Sequence, residues 1–210
     1  MPDYLIKEWN ETNFDINMFP FVRQAYDERK WAFVADVCRF YATYTEGGIY
    51  LDTDVETYKR FDPFLNDAFF AGTEVRTAVN NDDFVTVDAS VFGCQRNHWY
   101  AKACLDYYKD KPFRLSDGSI PGGVVQVVAT MALEPYGYKR ENATQHVQDV
   151  VIYDTKYFAN ITTFNKGKDL FSLHHFDGSW TSDINRGKLY KFCRKHDLMH
   201  IYRLLERFKA

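Results

Sequence analysis

The sequence is sparing in cysteine, and its few cysteines are not arranged in metal-binding pairs. There are four in 210 residues, and no two of them form a CxxC pair. This spacing argues against a zinc ribbon and against a dense disulfide framework. We therefore expect reduced thiols, as in a cytosolic protein, at Cys38, Cys94, Cys104 and Cys193.

The sequence also lacks an excess of positive charge and any long apolar run. Lys and Arg total 26 against 29 Asp and Glu, a formal charge of -3, which argues against nucleic acid as the partner. A phosphorylated ligand would need local positive charge or a metal instead. No apolar run reaches the length of a membrane span, and the opening residues do not resemble a signal peptide. The expected location is cytoplasmic.

The chain is rich in core-forming residues arranged in alternating helical and strand patterns. Its composition is 46% hydrophobic and 18% aromatic, and its length favours one domain over residues 1–210, with 1–185 as the core. Hydrophobic periodicity predicts an α/β fold. Helices are expected near 27–46, 98–108 and 124–133, an edge strand near 4–9, and buried strands near 49–51, 89–93 and 150–153.

Two carboxylates directly follow the predicted strand at 49–51. Because side chains of an extended chain alternate with period two, Asp52 and Asp54 point to the same side. Mg²⁺ and Mn²⁺ are commonly held by one or two carboxylates together with phosphate oxygens. The pattern therefore predicts a Mn²⁺ or Mg²⁺ site, and the alternative is a pair of solvated carboxylates in a turn.

A second motif precedes this pair on the predicted helix. Residues 35–39 read Ala-Asp-Val-Cys-Arg, and residues 47–54 read Gly-Gly-Ile-Tyr-Leu-Asp-Thr-Asp. Together they resemble the (A/S)-D-x-x-R and G-G-x-Y-x-D-x-D motifs of the DXD-containing sugar transferases. That family includes capsular-polysaccharide enzymes, yeast-type mannosyltransferases and the glucosyltransferase domains of clostridial toxins.

The resemblance implies a fold and roles for four residues. It implies a GT-A type fold, a Rossmann-like mixed sheet flanked by helices, with Asp36 and Arg39 contacting the donor sugar and its phosphates. It also implies that Asp52 and Asp54 bind the metal and sugar or ribose hydroxyls. Without the family, Asp36 and Arg39 could be a surface ion pair at i, i+3.

A segment far downstream, 173–180, resembles the closing His-x(n)-Ser-Trp segment of the same family. Imidazole is a common ligand for manganese, so a histidine here could complete the metal site, and we expect His175 rather than His174. Ser179 and the Trp180 indole could donate to the β-phosphate of the donor. The alternative is that Trp180 belongs to the core and the two histidines are structural.

The resemblance predicts transfer of a sugar from a nucleoside diphosphate sugar to a carbohydrate or lipid-linked saccharide acceptor. UDP-sugars are favoured over GDP-sugars, anomeric configuration is expected to be retained, and the products would be surface polysaccharides. The segment 186–210 is predicted to be a basic helix, with eight Lys or Arg against Asp197 and Glu206. This helix could bind the surface of a membrane that contains anionic lipid. A solvated basic helix is the alternative.

Two other functions stay open at the level of sequence. The family's opening strand, I-P-K-x-I-H-x-x-W, has no counterpart here, which would also suit a truncated or non-catalytic nucleotide-sugar-binding protein. Residues 50–55 further resemble the D-x-D-x-(T/V) strand end of haloacid-dehalogenase-like phosphohydrolases, in which the first Asp, here Asp52, is a nucleophile.

Overall fold

The fold is seen in a computed structural model, which describes residues 3–77, 83–119, 125–160 and 167–176. Within these ranges the α-helices are α1 (Pro20–Asp27), α2 (Trp31–Glu46), α3 (Trp99–Asp106) and α4 (Val125–Leu133). The strands are β1 (Gly48–Leu51), β2 (Val55–Thr57), β3 (Phe69–Thr77), β4 (Asp83–Cys94), β5 (Gln145–Val147), β6 (Val150–Tyr153), β7 (Phe158–Asn160) and β8 (Ser172–His174). Two short 3₁₀ turns lie at Asp62–Phe64 and Glu134–Tyr136.

The strands form two sheets of mixed direction. The larger has the order β1-β4-β3-β6-β5, with β3 and β6 parallel and its other pairs antiparallel. The smaller has the order β2-β8-β7, in which β2 and β8 are antiparallel and β7 and β8 parallel. The predicted α/β fold, a mixed sheet flanked by helices consistent with the GT-A type, is confirmed.

The two faces of the larger sheet bury different clusters. Phe69 and Ala71 of β3 point into the main core, where they pack with residues of all four helices. Phe70, between them in sequence, points the opposite way into an aromatic cluster with Phe64 and Phe158. This alternation is the period-two geometry of a strand, and it leaves helices on one face and the smaller sheet's β7 on the other.

The junction between α2 and β1 forms as the sequence predicts. Gly47 has φ of 72°, in the region that favours glycine, and its N–H donates to the carbonyl of Thr43 at 2.8 Å. Gly48, with φ of 104°, then begins β1. The helix therefore ends one residue before the strand that leads to the two carboxylates.

A bulge interrupts the pairing of β3 with β4. Ala71 pairs with Phe92 and Thr73 pairs with Val87, so a two-residue step on β3 faces a five-residue step on β4. Such bulges bend a strand and redirect its side chains. Here the bulged segment contains Asp88.

Three local predictions differ from the structure. Residues 4–9 form no strand, although one was expected there, and α1 was not predicted. β1 is an edge strand with Leu51 37% exposed, rather than a buried strand, because β4 covers one edge only. The strand expected at 89–93 extends over the whole of β4.

Candidate metal and donor site

The segment that carries Asp52 and Asp54 is tied to two neighbouring strands. The Asp52 N–H donates to the Ser90 carbonyl on β4 at 2.8 Å, and the Asp54 carbonyl accepts from the His175 N–H at 3.0 Å. Directly after it, Val55 of β2 pairs with His174 of β8. Pairing of chain segments more than a hundred residues apart thus brings the histidines to the two carboxylates.

Asp52, Asp54 and His174 converge on one point. One oxygen from each carboxylate and one ring nitrogen of His174 all lie within 4.8 Å of one another. His174 Nε2 is 3.3 Å from Asp54 Oδ1, and the imidazole is buried while both carboxylates are partly exposed. Two carboxylates and an imidazole are a donor set suited to Mn²⁺, so these residues fit a divalent cation.

His174, rather than His175, lies beside the two carboxylates. The sequence predicted His175 as the metal ligand, but its Nε2 lies 3.1 Å from Glu56 Oε2, outside the group formed by the Asp pair. Adjacent residues at the end of a strand point to opposite sides, so only one of the two histidines can face the carboxylates. The register of β2 with β8 makes that one His174.

The charge around His174 favours its protonated form. Burial of the imidazole acts to lower its pKa, but the hydrogen bond to Asp54 and the negative charges of Asp88, Asp54 and Asp52 act in the opposite direction. The result is a raised pKa for His174. A cation that binds this imidazole would have to compete with its proton, because an imidazole binds metal only when neutral.

Asp36 and Arg39 form a buried pair that reaches the site. Their exposed fractions are 8% and 6%, so the alternative of a surface ion pair is wrong. Arg39 Nη2 lies 3.0 Å from Asp36 Oδ1, and Nη1 lies 3.2 Å from Asp52 Oδ1 and donates to the Ala89 carbonyl at 2.7 Å. Arg39 thereby connects α2, β4 and the end of β1.

Burial and a tyrosine contact affect the two carboxylates beside Arg39, those of Asp36 and Asp52. Burial raises the pKa of Asp36 to about 6, with the Arg39 charge opposing the rise and the Asp52 charge adding to it. The Tyr50 hydroxyl donates to Asp52 Oδ1 at 2.6 Å, and the Arg39 guanidinium lies 4.7 Å from the Tyr50 ring centre. Asp52 is thus oriented by two side chains, those of Tyr50 and Arg39.

Sequence reasoning missed two buried carboxylates next to this group. Glu74 on β3 and Asp88 on β4 are 2% and 4% exposed, and they form a second group of possible ligands with His174. Burial and the Asp88 charge raise the pKa of Glu74 to about 7, against the opposing charges of Arg76 and His174. An acidic residue inside an otherwise apolar strand was the available signal.

Several predicted residues lie outside the described part of the chain. They are Ser179, Trp180, Cys193 and the basic segment 186–210. Their expected roles at the β-phosphate and at the membrane, and the division of the chain into 1–185 and 186–210, stay predictions. Within the part of the chain that is described, no helix is long and apolar enough to cross a bilayer.

Comparison with known families identifies the region that carries the motifs. Residues 1–71 match the model of the glycosyltransferase sugar-binding region containing a DXD motif. The matched region includes Asp36, Arg39, Asp52 and Asp54, and it ends before Glu74. No curated protein and no solved structure gives a significant match to the chain.

The DXD-region match supports a glycosyltransferase-like function, with a nucleotide-sugar donor and an acceptor. Regions of this family commonly bind a divalent metal, and the side chains gathered around His174 could hold one. The match covers about a third of the chain's 210 residues. Because His174, Glu74 and Asp88 lie outside it, only the geometry of the structure connects them with the DXD carboxylates.

Proposed function

We propose that this protein transfers a sugar from a nucleoside diphosphate sugar to a hydroxyl of a carbohydrate acceptor, with the help of a divalent cation. The observation that carries the proposal is the convergence of Asp52, Asp54 and His174 within 4.8 Å beside the buried Arg39. Two of these three ligands lie in the matched DXD region, and the third comes from a distant strand.

Asp52, Asp54 and His174 would hold the cation. The imidazole favours Mn²⁺ over Mg²⁺, which prefers an all-oxygen shell. When bound, the cation would neutralise the diphosphate as it leaves the sugar. In the reaction the bond between the anomeric carbon and the phosphate oxygen breaks, a bond to the acceptor oxygen forms, and the acceptor proton passes to the leaving phosphate.

Arg39 is better placed to position carboxylates than to contact phosphates. Its side chain is buried, and its donors already point to Asp36, Asp52 and the Ala89 carbonyl. A guanidinium held by a fork of protein oxygens fixes the planes of both carboxylates. Asp36 would then accept from a donor-sugar hydroxyl, and Asp52 would present its oxygens to the cation.

The finer assignment follows the family resemblance. We infer retention of configuration, a UDP-sugar rather than a GDP-sugar, and an acceptor that is a growing surface polysaccharide or a lipid-linked saccharide. Ser179 and Trp180 are the proposed donors to the β-phosphate, and the basic segment 186–210 is the proposed contact with the cytoplasmic membrane surface.

Isothermal titration with UDP, GDP and their common sugar conjugates tests the proposal, with and without Mn²⁺. We expect Mn²⁺-dependent binding of a uridine nucleotide, lost in Asp54→Ala and kept in Glu56→Gln, which removes a nearby charge outside the ligand group. Binding of no nucleotide, or equal binding by Asp54→Ala, would overturn it. Turnover with an oligosaccharide acceptor then separates a transferase from a protein that only binds the donor.

A further inference from the structure

Glu74 and Asp88 are buried carboxylates brought together by the bulge between β3 and β4. One oxygen from each and one ring nitrogen of His174 all lie within 4.8 Å of one another. Glu74 is 2% exposed and Asp88 is 4% exposed. The group is deeper than the Asp52–Asp54 pair, whose side chains are both partly exposed.

The negative charge of this group is only partly compensated by the described residues. Glu74 contacts the Arg76 guanidinium and the amide of Gln126 at 3.3 Å. Asp88 accepts from the Ser90 N–H at 2.7 Å, but no described Lys or Arg lies within 4 Å of it. Burying an uncompensated carboxylate is costly, so either a proton or a cation must accompany the pair.

Two buried polar atoms without a hydrogen-bond partner belong to this group or to a residue paired with it. His174, 93% buried, directs Nε2 to Asp54, while its Nδ1 is buried with no hydrogen-bond partner in the described chain. The Thr86 hydroxyl is also buried and has no hydrogen-bond partner among the described residues. Thr86 faces Glu74 across the strand pair. Buried polar atoms without partners are uncommon in native structures, and a bound water or ion is one way in which they are satisfied.

We propose that Glu74, Asp88 and His174 form a second, buried position for a divalent cation. Two carboxylates and an imidazole again suit Mn²⁺. A neutral imidazole offers one acceptor nitrogen, so His174 serves either this buried position or the Asp52–Asp54 position at one time. The two positions are therefore alternatives for one ion.

The two cation positions differ in the ligands that they require. Sites with two carboxylates commonly complete their shell with phosphate oxygens, so the partly exposed Asp52–Asp54 position needs the nucleotide. The buried position has its own protein ligands and holds the ion when no nucleotide is bound. This inference depends on the proposed function only through the shared His174.

Titration of nucleotide-free protein with Mn²⁺, followed by electron paramagnetic resonance of the free ion, tests the buried position. We expect the Kd for Mn²⁺ to rise by about tenfold or more in both Glu74→Gln and Asp88→Asn, in line with the loss of a metal-site partner. Glu56→Gln should bind as the wild type does, because Glu56 lies outside both groups. Asp54→Asn should weaken Mn²⁺ binding mainly when UDP is added.

Unchanged Mn²⁺ binding in Asp88→Asn and Glu74→Gln would overturn the inference. Failure of the wild type to bind Mn²⁺ without nucleotide would overturn it as well, whatever the variants do. In either case Mn²⁺-dependent binding of UDP, if lost in Asp54→Ala, would leave the proposed function standing. Thermal melting in Mn²⁺-free buffer verifies that each variant is folded.

Discussion

His174 Nε2 lies 3.3 Å from Asp54 Oδ1, although 119 residues separate them in the chain and the neighbouring His175 faces Glu56 instead. The contact results from the antiparallel pairing of β2 with β8. It places His174 rather than His175 beside the two carboxylates, and it makes the two histidines a matched pair for mutagenesis.

Replacing His174 should weaken Mn²⁺-dependent nucleotide binding, and replacing His175 should not. We expect His174→Ala to raise the protein's Kd for UDP in the presence of Mn²⁺ by about tenfold or more, because an imidazole ligand is lost. His175→Ala removes only the contact to Glu56. Isothermal titration of both variants with UDP at saturating Mn²⁺ measures the difference, and a larger effect of His175→Ala would restore His175 as the ligand.

Arg39→Met should destabilise the fold strongly. The substitution leaves the carboxylates of Asp36 and Asp52 without the guanidinium that contacts them. Breaking a buried ion pair by removing one partner costs about 3–5 kcal/mol. Urea unfolding followed by circular dichroism measures the loss.

The double variant Arg39→Met with Asp36→Asn should recover part of this stability, because the buried carboxylate is then neutral. Arg23→Met, which breaks the exposed pair with Asp27, is the control and should have a much smaller effect. A loss in Arg39→Met no larger than in Arg23→Met would contradict the structural role given to Arg39.

Gly93→Ala should be destabilising through overpacking. A Cβ atom at this position would lie 2.0 Å from the Phe70 ring, and neither strand can move freely within the sheet. Inserting a methyl group into a packed core typically costs about 1–3 kcal/mol. Thermal unfolding measures it, and adding Phe70→Leu should lessen the effect of Gly93→Ala. Additive losses in the double variant would refute the clash.

His98 should contribute stability that is lost in acid. Its Nδ1 accepts from the Tyr100 N–H at 3.2 Å as the cap of α3, which requires the unprotonated nitrogen. Burial lowers the pKa of His98, although the nearby Asp149 carboxylate acts to raise it. Because the folded-state pKa lies below the ordinary 6.5, the contribution is present above that pH and disappears as the pH falls below it.

Melting temperatures of wild type and His98→Asn between pH 8 and pH 5 measure this effect. Asparagine also caps helices but does not titrate, so the variant should lose less stability on acidification than the wild type. His146→Asn, at an exposed position on β5, is the control and should follow the wild type. Parallel curves for wild type and His98→Asn would exclude a role for His98 in the pH dependence.

The local features of the site could be predicted from the sequence because short-range rules govern them. Helical periodicity and the glycine pair predicted the end of α2. Period-two alternation predicted that Asp52 and Asp54 face one way. Their carboxylates do lie close together, but the residues form a turn in which the Asp52 carbonyl accepts from the Val55 N–H, so alternation is not the cause. The motif spacing identified the sugar-binding region that the family comparison then matched.

What only the tertiary structure decided depends on pairing between distant segments. The choice of His174 follows from the register of β2 with β8, which no local pattern specifies. The meeting of Glu74 and Asp88 follows from a bulge, in which one strand takes five residues where its partner takes two. The sequence shows that a predicted strand contains a carboxylate, but cross-strand geometry determines which other buried group that carboxylate contacts.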